Sequence, residues 1–170
     1  MIDTPASAAA EIRRLGLPAV LGAVMDGTLA DDPTTRDYLR WECRRPHAYF
    51  GLCRDLIRRV PGLVGLCPLL EQNGEAIVGR LPDGRYVRFY YEDGGLQNPD
   101  PAIELLGQNY QQFVTSVLAE LADAGLWDEY AAAIAGSLEY QHLAGLDAVL
   151  RAWTNEHGEA DLARFRDSLA

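Results

Sequence analysis

The chain has 170 residues, 48% hydrophobic and 24% charged, enough for one domain with a full core and too apolar for global disorder. Its 15 basic residues are all Arg, and 25 acidic residues set the net charge at −10. Without lysine, a Walker-type phosphate lysine, a lysine Schiff base and a Ser-Lys dyad are excluded.

In chain order, residues 6–15 predict a short helix, limited by Gly16 and Pro18. Asp32-Pro33 opens a second helix over 33–45, with Asp32 as cap, and Pro46 closes it. Helical spacing resumes over 48–60 through Phe50, Cys53, Ile57 and Val60, and Pro61-Gly62 stops it. The period then changes. Residues 63–72 are apolar and compact, and Asn73-Gly74 is a tight-turn signal. Residues 75–81 and 85–93 read as strands around a Pro82-Asp83-Gly84 turn. Val87, Phe89 and Tyr91 share one face of the second strand, and Tyr86, Arg88 and Tyr90 share the other.

The segment 102–106 fits an edge strand or a helical turn. A clear helix follows, with Tyr110, Phe113, Val114, Val117, Leu118 and Leu121 in one stripe, Asn109 as cap and Gly125 as its end. Three shorter helices are expected at about 127–138, 141–155 and 160–169. The expected fold is α+β. One domain over 1–170 holds a central antiparallel or mixed sheet packed by helices, and 126–170 form a helical C-terminal extension.

Charge is unevenly placed. Residues 1–60 carry 9 Arg and 8 acids; residues 61–170 carry 6 Arg and 17 acids, a net of −11. That acidity disfavours nucleic acid and anionic membranes and suits a basic protein partner. Solubility alone is the competing explanation. No apolar run is long enough for a membrane span, and the N-terminal residues do not read as a secretory leader. A reducing cytoplasm is the expected setting. There Cys43, Cys53 and Cys67, with no C-x-x-C pair, are expected as buried free thiols.

No complete catalytic, cofactor or metal motif stands out. Cys43 and His47 are four apart, but Pro46 disturbs the helix they would share and no third ligand is near. His142 and His157 suit surface or capping roles. Glu71, Glu75, Glu92, Asp93 and Asp100 crowd the strand ends, where paired carboxylates could serve a hydrolase or, more simply, form a solvated rim. Residues 18–32, PAVLGAVMDGTLADD, resemble the nucleophile motif of haloacid-dehalogenase-type phosphatases, an apolar strand followed by Asp-x-Asp-Gly-Thr. Asp26, Gly27 and Thr28 match, but Val24 occupies the nucleophile position and cannot attack phosphorus. Asp26-Gly27 is then simply a turn.

The stretch PLLEQNGEAIVGRLPDGRYVRFYYED (68–93), followed by LLGQNYQQFVTSVLAEL (105–121), resembles the SUKH superfamily, the group of Smi/Knr-like regulators. The resemblance rests on the Pro-Leu-x-Glu-x-Asn-Gly turn, the strand pair after it and the Asn-Tyr-x-x-Phe helix. It implies an α+β fold of sheet on helices. It also implies a non-catalytic, cofactor-free immunity protein that binds and neutralises a bacterial toxin domain. A cytosolic regulator or scaffold without a toxin partner is the alternative. The expected contact residues are Tyr86, Arg88, Tyr90, Glu92 and Asp93.

Overall fold

The computed structural model describes residues 2, 4–26, 28, 54–55, 57–72, 76–90, 103–154 and 157–169. The helix expected at 33–45 and the Asn73-Gly74 turn lie outside them, as do Cys43, His47 and Cys53.

Helix α1 spans Pro5–Arg14 and begins with a reciprocal cap. The Ser7 N–H donates to the Thr4 hydroxyl at 3.1 Å, and the Thr4 N–H donates to the Ser7 hydroxyl at 3.0 Å. Ala8, Ala9 and Ile12 form its buried face. Helix α2, Ala19–Asp26, buries Leu21, Val24 and Met25. The phosphatase-like stretch is therefore helical up to Asp26, not a strand. Asp26 ends the helix paired to Arg13 at 3.0 Å, and Val24 is core.

Four strands follow: β1 Cys67–Gln72, β2 Ala76–Arg80, β3 Tyr86–Tyr90 and β4 Ile103–Gly107. They form one antiparallel sheet in chain order, β1-β2-β3-β4. The apolar run from 63 divides in two: Pro61–Leu63 is a 3-10 turn, and the strand starts only at Cys67. Pro68 sits where the β1–β2 register shifts, a tolerated place for a residue without an N–H. Between β2 and β3 the Leu81 N–H donates to the Arg85 carbonyl at 2.8 Å, and Gly84, with φ +99°, closes the turn. Of the ambiguous 102–106 segment, residues 103–106 lie in the edge strand β4, because Val87, Arg88 and Phe89 pair with Leu105, Glu104 and Ile103.

Both sheet faces are covered. On one, Val78, Tyr86 and Leu106 join the main core with the helices. On the other, Ile77, Val87 and Phe89 pack with Val60, Leu63, Leu66 and Leu81 in a smaller core. This second layer reaches Ile103 but leaves it and Leu105 37% and 42% exposed.

Helix α3, Tyr110–Asp123, crosses the main face and buries Phe113, Val114, Val117, Leu118 and Leu121. Its cap is Asn109, whose side-chain oxygen accepts from the Gln112 N–H at 3.0 Å. Helices α4 Trp127–Ser137, α5 Leu143–Arg151 and α6 Gly158–Asp167 complete the chain. Ile134, Ala135, Leu138 and Leu146 enter the same core as Phe113, so the C-terminal helices share it rather than hang beside it. Two amides at the start of α3 hold the C-terminal segment: Asn109 Nδ2 and Gln112 Nε2 donate to the Leu169 carbonyl at 2.6 and 3.1 Å. The molecule is a single α+β domain, a four-stranded antiparallel sheet packed by N- and C-terminal helices.

Candidate functional site

Tyr86, Arg88 and Tyr90 alternate along β3 onto the face that α3 covers. Tyr86 is 2% exposed. Its ring stacks on Phe113 at 4.8 Å and meets Tyr110 edge-on at 6.1 Å. Burial pushes its phenol above the ordinary range. Tyr86 is thus a packing residue with almost no outer surface to offer a protein partner. The helix that sequence periodicity placed nearby covers it.

Arg88 lies next on that face, and its side chain is nearly buried. A buried guanidinium is costly unless paired and hydrogen-bonded. Arg88 Nη1 donates to the Tyr90 hydroxyl at 3.0 Å and to Glu104 at 3.2 Å, and Nη2 donates to Glu120. The second oxygen of Glu120 accepts from Gln72 Nε2 at 2.9 Å. Four elements therefore meet at one arginine: β1 through Gln72, β3, β4 through Glu104 and α3 through Glu120. Register explains Glu104, which stands directly across from Arg88. Two carboxylates on one guanidinium leave a local charge of −1, and both reach solvent, with side chains 47% and 35% exposed. Tyr90 is half-buried beside them. The cluster can hold shape and accept hydrogen bonds from a cationic group at its rim.

Neither Glu104 nor Glu120 was among the expected contact residues. The signal for Glu120 was available: it is the single charge between Tyr110 and Leu121. Of the expected residues, Glu92 and Asp93 lie outside the described residues, as do Glu75 and Asp100. The Glu71 backbone lies in β1 opposite Ile77. Asp83 stands exposed at the β2–β3 turn, and hydrogen bonds from the Arg85 side chain and N–H hold its carboxyl below the usual range.

Cys67 is a buried free thiol, pushed up to about 12 chiefly by burial. His142 lies edge-on to Tyr140 at 5.9 Å, and His157 sits exposed before α6. Among the described residues, no three His, Cys, Asp or Glu side chains group as a metal site, and no helix is long and apolar enough to cross a membrane.

The chain was compared with family models, curated proteins and solved structures, and none of them matches it.

Proposed function

We propose that the protein is a protein-binding module that blocks a basic partner, in the manner of an immunity protein holding a cognate bacterial toxin domain. The observation that carries this reading is where the fold puts its charge. From β4 to the end of α6, residues 103–167 carry 3 Arg and 11 acids. Those arginines are engaged locally: Arg151 with Asp147 and Asp128, Arg164 with Asp161, and Arg166 beside Asp167. The acids left over, among them Asp123, Glu129 and Glu159, are exposed and present one sign of charge. Such a field steers a basic protein and repels nucleic acid and anionic lipid.

The resemblance of residues 68–93 and 105–121 to the SUKH group supports the same reading. Its Asn-Tyr-x-x-Phe element has structural roles here. Asn109 caps α3, Tyr110 donates to the Leu138 carbonyl at 2.8 Å, and Phe113 stacks on the sheet. The contact surface in this proposal is the acidic helical layer with the Tyr90, Glu104 and Glu120 rim. Glu92 and Asp93 follow β3 directly in sequence and belong to the same proposal. The protein would act in the cytoplasm without a cofactor and by occupying its partner rather than by chemistry.

The test is coexpression with a toxin-bearing gene product encoded beside this chain, with cell survival and complex formation as readouts. Protection and a tight complex are expected. Association should slow as salt rises, because exposed charge is screened beyond about 8 Å at physiological ionic strength. Reversing Asp123, Glu129 and Glu159 together to Lys should slow it about tenfold with the melting temperature little changed. A survey of neighbouring gene products that neither bind nor are neutralised would overturn the reading.

A further inference from the structure

Helices α1, α3 and α4 end in the same turn. In each, two successive N–H groups reach back over the last helical turn, and the first of the two belongs to a left-handed residue. At α1 and α3 that residue is glycine, Gly16 with φ +67° and Gly125 with φ +72°. At α4 it is Glu139, with φ 53°. Its N–H donates to the Gly136 carbonyl at 3.1 Å, and the Tyr140 N–H donates to the Ala135 carbonyl at 2.8 Å. Side chains other than glycine resist this conformation, so a glutamate is held here against the backbone's preference.

Glu139 stands on the rim of a cavity of about 280 Å³. Four stretches distant in sequence form its walls: the 15–18 loop, the β2–β3 hairpin, the first turn of α3 and the α4–α5 connection. Tyr86 and Tyr110 line it, 6.1 Å apart between ring centroids. Arg80 lies over Tyr86, its guanidinium carbon 6.0 Å from the ring centroid. Glu139 lies on the Tyr110 side, where its charge adds to the burial that raises that phenol. Gln111 joins the walls: its Oε1 accepts from the Gln141 N–H at 3.0 Å, and its Nε2 donates to the Glu139 carbonyl at 3.4 Å.

Arg80 donates a hydrogen bond to the Tyr86 phenol, and among the described residues no carboxylate neutralises it. The acids that bear on Arg80, Glu11 and Asp83, are taken by Arg14 at 2.6 Å and Arg85 at 2.7 Å. Among the described residues, neither Arg80 nor Glu139 has an ion-pair partner within 4.0 Å. A guanidinium fork matches a carboxylate, and a carboxylate at the far end matches an ammonium. Small-molecule sites place a few convergent polar groups in a cavity near this size.

We propose that this cavity binds a small zwitterion, its carboxylate on Arg80 and its ammonium on Glu139. This reaches beyond the partner-binding reading and does not depend on it. The test is a titration of the full chain, without any partner, with glycylglycine followed by amide NMR. Saturable shifts are expected at Gly16, Gln111 and Gln141. Acetate and ethylamine each offer a single charge, and each should bind at least about tenfold more weakly. Arg80→Gln and Glu139→Gln should weaken glycylglycine by a similar factor. Glu139→Gly relieves the backbone, so it should fold well and still lose the ligand. No saturable shift at millimolar glycylglycine would overturn the proposal, as would unchanged affinity in Arg80→Gln and Glu139→Gln. Acetate binding as tightly as glycylglycine, with Glu139→Gln neutral, would also overturn it.

Discussion

Tyr86 of the third strand stacks face to face on Phe113 of α3, with ring centroids 4.8 Å apart and planes 9° from parallel. This contact joins the sheet to the helix that crosses it and places both rings inside the main core. It also sets the depth of the row behind it. With Tyr86 under the helix, Arg88 is drawn against Glu120, and only Tyr90 and the two carboxylates reach the rim.

Phe113→Ala should cost about 3–5 kcal/mol, since it removes a fully buried aromatic ring and leaves a cavity beneath Tyr86. Urea denaturation reads this directly. An unchanged midpoint would contradict the packing.

Arg88→Met should cost about 1–3 kcal/mol through lost charge-assisted hydrogen bonds. The loss is limited because Glu104 and Glu120 can turn to water. A double-mutant cycle with Glu120→Gln should return a coupling of about 1 kcal/mol. Additive effects would mean that the pair is not coupled in solution.

Glu139→Gly should stabilise the free protein by about 1 kcal/mol by relieving a left-handed residue that carries a side chain. The same change at an ordinary helical position would destabilise it. Thermal unfolding distinguishes the two signs.

Alkaline pH should destabilise the fold from about pH 9 upward. Unfolded Cys67 ionises near 9.0, whereas the native thiol is pushed up to about 12. Below pH 9 both states are protonated and the contribution of burial is fully present. Above it the unfolded state alone loses the proton, so stability falls by up to about 1.4 kcal/mol per pH unit until the native thiol ionises. Tyr86, Tyr110 and Tyr140 are also raised by burial and add to the loss from about pH 10. Cys67→Ala should remove the earliest part of the slope and leave the tyrosine part. An unchanged slope between pH 9 and 10 would assign it elsewhere.

Local chemistry made much of this fold legible in the sequence. Asn109, the stripe from Tyr110 to Leu121 and Gly125 define α3 because capping, a 3.6-residue period and a left-handed stop are all short-range. The Pro82-Asp83-Gly84 turn and the alternation after Tyr86 define the β2–β3 hairpin in the same way. The stretch before Asp26 carries no legible element in the sequence, because a short apolar run has no period of its own. Its helix is decided by packing against α1 and β1, the elements that α2 contacts most.

Tertiary structure alone decided what covers each face of β3. Alternation separates Tyr86, Arg88 and Tyr90 from Val87 and Phe89, but it is silent on what covers each row. Here α3 covers one and the Pro61–Leu63 layer covers the other, so neither is a free face. The partners of Arg88 come from residues 16 and 32 positions away, and the walls of the Arg80–Glu139 cavity from four separate stretches. Pairings at such distances depend on the register of β4 and the path of α3 across the sheet, which no local pattern encodes.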